Sequence, residues 1–436
     1  MERYSEYKDS GIHWLGKIPS HWDMQRWRFL LVENKDKNAG CKERTQLQFK
    51  YGDIVQKSNQ SEEADVLDTI SKYTIVMPGD IMINGLNLNY DFVSQRIAQV
   101  RERGVITSAY ISLRPTSLAN SRYYTYLLKS MDFMKMFHGM GTGIRLTLSY
   151  NELKNQTLPC PSTEEQVAMV AYLDSTTAKI DKVIAQQQKM IDLLNERKQI
   201  IINNAVTKGL NPDVSMKNCG NDWLGEIPSH WSVDKFKNLF KTRTGITFTK
   251  AQIEEEGCPV ISYGQIHSKE NWGASVNAKL IRHIPSTLTK GKDNTLAYRG
   301  DFLFADTSED FEGCGNCVCV DTEEPIYAGY HTILAKKDNR EHDAYLAYLF
   351  ASSRWRGQLR SMVNGVKVYS VTQTLLRSTV VILPPIEEQQ AIAEYINRRV
   401  IIIDKAISRH SERIKLLQER KQIIINDVVT GKVKVS

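Results

Sequence analysis

Apolar residues recur every three or four positions along two stretches of the chain. The first runs Ile180, Ile184, Gln187, Ile191, Leu194, Lys198, Ile201, Ala205, and the second runs Ile403, Ile407, His410, Ile414, Leu417, Lys421, Ile424, Val428. Alternating spacings of four and three follow the 3.5-residue period of a coiled-coil seam. Polar residues interrupt both seams at matching places, Gln187 and Lys198 against His410 and Lys421, where they can fix the pairing register. The first helix opens after Pro161, with Ser162 or Thr163 three residues ahead of Glu165 or Gln166, which is a capping-box pattern. Between these helices, at about 24–158 and 233–383, β-branched and aromatic runs are broken by Gly, Pro and Asn. Residues 105–107, 111–113 and 317–320 read as strands, and 121–136 and 343–359 as helices. An α+β fold is expected.

The seams belong to a duplication. Trp14-Leu15-Gly16-Lys17-Ile18-Pro19-Ser20-His21-Trp22 returns as Trp223-Leu224-Gly225-Glu226-Ile227-Pro228-Ser229-His230-Trp231, with eight of nine positions identical at an offset of 209. Leu193-Leu194-Asn195-Glu196-Arg197-Lys198-Gln199-Ile200-Ile201-Ile202-Asn203 returns from Leu416 to Asn426, and Glu164-Glu165-Gln166 returns as Glu387-Glu388-Gln389, both at an offset of 223. The middles keep sparse echoes: Pro78-Gly79-Asp80-Ile81 faces Arg299-Gly300-Asp301-Phe302, and Gly143-Ile144-Arg145 faces Gly365-Val366-Lys367. Each half therefore has a constant opening, a divergent middle and a near-identical helical end. The boundaries fall at 1–160, 161–210, 211–385 and 386–436, with the polar stretch from Asn211-Pro212 to Asn221 read as a linker. A narrow apolar seam needs a partner, and the other copy in the same chain is the nearest. A pseudo-two-fold relation would make the helices antiparallel; pairing between separate chains is the alternative.

The chain has 436 residues, enough for two or three domains with real cores. Its net charge of +7 permits a polyanionic partner without demanding one. Divided up, the charge is +4 for 1–158, −1 for 159–215, +1 for 216–383 and +3 for 384–436, so no segment is a polycationic tail. Seven scattered cysteines suggest a reducing compartment. No apolar run reaches the roughly 20 residues of a membrane span, and the start lacks a signal-peptide core. A soluble cytoplasmic protein is expected.

Catalytic motifs are hard to find. Gly431-Lys432 lacks the Ser or Thr of a phosphate loop, and Gly139-Met140-Gly141-Thr142-Gly143 does not open onto a helix. Pro384-Pro385-Ile386 lacks the flanking residues of an amino-methyltransferase motif. Glu152-Leu153-Lys154 is an isolated nuclease-like triplet without a carboxylate in its counterpart. Cys314, Cys317 and Cys319 have metal-like spacing, but a second pair is missing, and reduced thiols are the expectation. His21 and His230 read as parts of a structural turn, with Trp14, Trp22, Trp223 and Trp231 as core anchors.

The paired Trp-Leu-Gly-x-Ile-Pro-Ser-His-Trp openings, Glu-Glu-Gln helix starts and Glu-Arg-Lys-Gln-Ile-Ile-Ile-Asn segments resemble the specificity subunit of type I restriction–modification enzymes over essentially the whole chain. The resemblance implies a non-catalytic DNA reader. Each middle would be an α/β target recognition domain for half of a split, asymmetric site on double-stranded DNA. Two long helices would form the antiparallel coiled coil that sets the spacer. It further implies two methyltransferase subunits and added restriction subunits as partners. S-adenosylmethionine and ATP with Mg²⁺ would bind only to those partners, so no cofactor and no metal are expected on this chain.

Within that frame, base reading needs Arg or Lys for guanine and Asn or Gln for adenine. The candidates are Asn84, Asn87, Asn89, Tyr90, Arg96, Thr142 and Arg145 in the first middle. In the second they are Gln265, His267, Lys269, Thr307, Ser308, Asn364, Lys367 and Tyr369. Arg145 and Lys367, a matched basic pair beside matched glycines, suit phosphate contact. Two rivals remain: an enzyme with an unrecognised site, and a purely structural coiled-coil adaptor.

Overall fold

The structure is a computed structural model that describes every residue except Met1, Tyr51, 59–63, Ile144, Arg145, Trp272, Asn339, Asn364, Val366, Lys367 and Ser436. The chain divides into two compact units, Met1–Gln188 with Ser411–Ser436, and Lys189–His410. The first long helix, Thr163–Lys208, and the second, Ile386–Val429, each contribute to both units.

In the first unit an antiparallel sheet carries the strands in the order Leu31–Glu33, Ile111–Pro115, Ile81–Ile83, Ile97–Gln99. Its inner strand Ile81-Met82-Ile83 is wholly buried. The helix Ser121–Phe133 starts on Asn120, whose side-chain oxygen accepts from Arg122 N and Tyr123 N, and it buries Tyr123, Tyr124, Leu127, Leu128 and Met131. Small antiparallel pairs accompany it: Tyr7–Asp9 with Lys17–Pro19, Asp23–Arg26 with Thr157–Cys160, Leu47–Lys50 with Asp53–Gln56, and Thr74–Val76 with Gly104–Ile106.

The second unit repeats this order with different residues: Phe240–Thr244, Thr332–Lys337, Phe302–Ala305, Cys317–Cys319. A second sheet adds Arg282–Ile284, Cys258–Ile261, Ile326–Ala328 and Leu296–Ala297, with one parallel pair. The helix expected over 343–359 is two helices, Asp343–Ala351 and Ser353–Met362. Ser352 breaks it by adopting an extended conformation and capping Trp355 N through its hydroxyl at 3.1 Å. Nor is 211–221 a linker throughout. Met216–Asn218 pairs with Glu226–Pro228 as Tyr7–Asp9 pairs with Lys17–Pro19.

The sparse echoes mark one turn built twice. Asp80 is buried and accepts from Met77 N at 2.9 Å; Asp301 is buried and accepts from Tyr298 N at 2.8 Å. Gly79 and Gly300 precede them at φ +97° and +90°, which a side chain rarely tolerates.

The repeated motifs bind one another. Trp22 Nε1 and His21 Nε2 donate to Glu165 at 3.4 and 3.0 Å, and Trp231 Nε1 and His230 Nε2 donate to Glu388 at 3.1 and 2.9 Å. Ser162 Oγ does accept from Glu165 N, but the Glu165 carboxylate goes to the tryptophan and histidine, leaving the capping box half complete. The next residue ties the helix start to the recognition fold. Gln166 accepts from Asn120 N at 2.7 Å and donates to Pro161 O, while Gln389 accepts from His342 N at 2.9 Å and donates to Pro384 O. Asn120 and His342 are the caps of equivalent helices. Of the four opening tryptophans, Trp22 and Trp231 are buried anchors, Trp14 is half-buried, and Trp223 is exposed and lies over Gly357, so it anchors no core.

Within each unit the helix segments run antiparallel. In the first, Glu165 near one helix start and Gly431 just beyond the other helix end both pack on Trp22, and Asp181 meets Lys421 at 2.7 Å. In the second, Glu388 and Gly209 both pack on Trp231, and Lys198 meets Asp404 at 2.9 Å. Of the seam positions, Ile180, Ile191, Ala205, Ile403 and Val428 are buried. Ile184, Gln187, Leu194, Lys198, Ile201, Ile407, His410, Ile414, Leu417, Lys421 and Ile424 are half-buried. Among the described residues no helix is long and apolar enough to cross a membrane.

Candidate nucleic-acid interface

Both units place the same two loops side by side. One follows the inner sheet strand; the other precedes the strand that leads into the long helix. In the first unit these are 84–96 and the described residues 141–143 and 146–148, joined by Leu88 N to Leu146 O at 3.1 Å and Leu148 N to Gly85 O at 2.9 Å. A Cβ on Gly85 would fall 2.5 Å from Leu148 O, so this approach requires glycine. In the second unit Thr307–Ser308 pairs with Tyr369–Ser370, and Val371 N donates to Asp306 O.

The first loop is organised from inside. Arg96 is 1% exposed, and its guanidinium donates to Asn84 O at 3.0 Å, Leu86 O at 2.8 Å and Asp91 O at 2.7 Å, with Asn87 O at 3.5 Å. Asp91 caps Ser94 N and Val93 N at 2.9 and 3.1 Å, and these bonds pull its carboxyl down to about 2. His138 donates to Asp91 O and stacks on Phe92 at 4.6 Å. What emerges is a tip with Tyr90 75% and Val93 91% exposed, and with Asn87 in the left-handed region at φ +52°.

The second loop is held by side chains in series. Arg356 donates to Asn316 Oδ1 at 2.5 Å, Asn316 Nδ2 donates to His267 Nδ1 at 3.0 Å, and His267 Nε2 donates to Thr307 O at 2.8 Å. His331, at φ +53°, pairs with Asp306 at 2.8 Å, and Thr307 Oγ1 also donates to Asp306. A cleft of about 560 Å³ opens beside them, lined by Tyr263, His267, Ser308, Glu309, Asp310 and Asn316 among others.

Residues 228–413 match the family model for the type I restriction modification DNA specificity domain. The chain is similar to type I restriction–modification specificity subunits along its whole length. It is 23% identical over its full length, and 98% of the relative's, to the MjaVIII specificity subunit of Methanocaldococcus jannaschii. It is 22% identical to the EcoKI specificity subunit of Escherichia coli, over 73% of this chain and 67% of that one. A solved structure on complex assembly and conformational transition of the type I R-M system contains a chain with the same fold. That match has a TM-score of 0.67 at 14% identity and covers 95% of this chain and 99% of that one.

Set in this fold, the sequence candidates separate. Asn87, Tyr90, Thr142 and Lys269 are exposed, while Asn84, Asn89, His267, Thr307 and Tyr369 are half-buried along the paired loops or beside them. Three expectations need correction. Arg96 lies inside, bonded to loop carbonyls, and does not face solvent. Gln265 closes a capping box by accepting from Ser262 N at 3.1 Å. Ser308 is 3% exposed and donates to Asp310 O. Arg145, Asn364 and Lys367 lie outside the described residues.

Sequence reasoning missed Asp91, His138, Asn316, His331 and Arg356, because nothing in their spacing marks them. Asp181 and Asp404 were legible in principle. They recur at the same 223-residue offset as Lys198 and Lys421, so antiparallel pairing sets each lysine against the other copy's aspartate. Burial pushes the Cys317 thiol up to about 12 and raises Cys314 and Cys319. Among the described residues no group of His, Cys, Asp and Glu is placed to hold a metal ion. Glu152 of the nuclease-like triplet closes a capping box on Ser149.

Proposed function

We propose that this specificity subunit reads a split DNA target, one half-site per unit, and carries the methyltransferase subunits to it without performing chemistry itself. One observation carries the reading: the same scaffold is built twice, with matching clamps on the helices, and displays two loop sets that differ in residues, charge and support. A single ligand would need one site, whereas two unlike half-sites need two unlike readers on a common frame. The exposed residues suit this role. Asn87 can bond adenine edges, Thr142 can bond a base or phosphate, and Tyr90 and Val93 offer apolar contact to a thymine methyl. With a net charge of only +7, affinity comes from placed contacts more than from bulk attraction. The paired helices would set the spacer between the half-sites. Restriction subunits would join the same assembly, and S-adenosylmethionine and ATP would be bound by the partner subunits.

The test is to co-express the chain with its methyltransferase subunits and map N6-methyladenine across a genome. One bipartite motif with a fixed spacer is the expected outcome. An assembled complex that methylates nothing, or methylates without a split motif, overturns the reading.

A further inference from the structure

We propose that Arg96 is the positioning residue of the first recognition loop, fixing from inside the protein which bases the loop tip can read; this rests on the DNA-reading function above. A buried guanidinium is expensive to desolvate, so its hydrogen bonds must offset that cost. Here the bonds to Asn84 O, Leu86 O and Asp91 O, with Asn87 O within reach, come from one planar fork and span eight residues of one loop. The backbone N of Arg96 donates to Asp132 Oδ2 at 2.8 Å, which fixes the fork to the helix Ser121–Phe133.

The carbonyls that bind Arg96 lie in the turn that carries Asn87, Tyr90, Phe92 and Val93, the last 91% exposed. A loop that places large apolar groups in water on a backbone fixed at several points is preorganised for contact, and preorganisation lowers the ordering cost of binding. A lysine would supply a single ammonium with three donors and could not span the same carbonyls. Arg96→Lys should therefore keep the charge and lose the loop shape.

The experiment is the methylome of the co-expressed complex carrying Arg96→Lys, Arg96→Gln or Tyr90→Ala. Arg96→Lys is expected to lower the preference for the wild-type base about tenfold or more at one or more positions of a single half-site, the loss of roughly one good base contact. The other half-site should stay unchanged. Tyr90→Ala, whose side chain is 75% exposed and bears no fold, should degrade the same half-site. A merely structural role would instead lower methylation uniformly with base preferences intact, and that result overturns the proposal. So does a Tyr90→Ala complex with both half-sites unaltered, even if the Arg96 variants fail to assemble. If the wild-type complex itself yields no split motif, the failure belongs to the DNA-reading function and not to Arg96.

Discussion

In the first unit one guanidinium gathers the carbonyls of the loop behind the inner strand, whereas in the second unit Arg356, Asn316 and His267 pass the same task along three side chains. The first loop ends in an apolar tip; the second borders a cleft containing Glu309 and Asp310. Beneath the loops the two units are nearly superposable in chemistry. Trp22 and Trp231 bond Glu165 and Glu388, and Gln166 and Gln389 seat equivalent helix caps. Tyr123 and Tyr345 donate to the main-chain carbonyls of Val429 and Val206. Divergence thus lies in the middles and the loops they display, including the added sheet of the second unit, while the clamp that joins them to the helices is built alike. A duplicated chain can change one loop set without disturbing the other because each set rests on its own copy of the clamp.

The largest expected effect tests whether the clamps are equivalent. Trp22→Ala and Trp231→Ala each empty a fully buried site and leave a glutamate without its indole partner. Each should cost about 3–5 kcal/mol, and the two should agree within about 1 kcal/mol if the clamps carry equal load. Calorimetric unfolding of each variant checks this. A mild effect from one tryptophan alone would break the symmetry.

Gly431 and Gly209 sharpen the same comparison, because they fill one role in different surroundings. Both have φ near +70°, so alanine at either incurs left-handed strain of about 1–2 kcal/mol. At Gly431 the new Cβ would also lie 2.5 Å from Pro19 Cδ and 2.9 Å from Trp22 Cη2, ring atoms with no freedom to swing. At Gly209 the approach is looser, with Glu388 Oε1 at 2.9 Å and the Trp231 ring no nearer than Cζ2 at 3.1 Å. Gly431→Ala should therefore cost roughly 1–3 kcal/mol more than Gly209→Ala. Equal costs in denaturant unfolding would show that Pro19 and Trp22 can give way.

What the chain revealed in advance follows from how far each signal reaches. The seams and the repeated words were legible because helical period and exact recurrence are local properties of sequence. Even the short echo at Asp80 and Asp301 marked a real turn, since a positive-φ glycine followed by a buried aspartate is a local requirement. The loop chemistry was not legible. Arg96 looks like a surface base reader in sequence, but its partners are main-chain carbonyls, which carry no residue signature. Gln265 and Ser308 misled for the same reason, being used on Ser262 N and Asp310 O. The polar segment around Met216–Asn218 read as a linker because an edge strand this short needs no apolar face.

The smallest expected effect concerns the two lysines that interrupt the seams. They occupy equivalent positions and take equivalent aspartates, yet their surroundings differ in water. Lys198 and Asp404 are 16% and 20% exposed, against 25% and 54% for Lys421 and Asp181. Solvent screens the second pair more strongly, and exposed pairs contribute little after side-chain ordering is counted. Lys198→Met should destabilise by about 1 kcal/mol, because it leaves a half-buried carboxylate with less compensation. Lys421→Met should fall below about 0.5 kcal/mol. The charge-swapped double variant Lys198→Asp with Asp404→Lys should recover part of the loss, and denaturant midpoints for the full cycle measure it. If the two lysines cost the same, or the swap recovers nothing, burial is not what separates these pairs and register comes from the apolar seam alone.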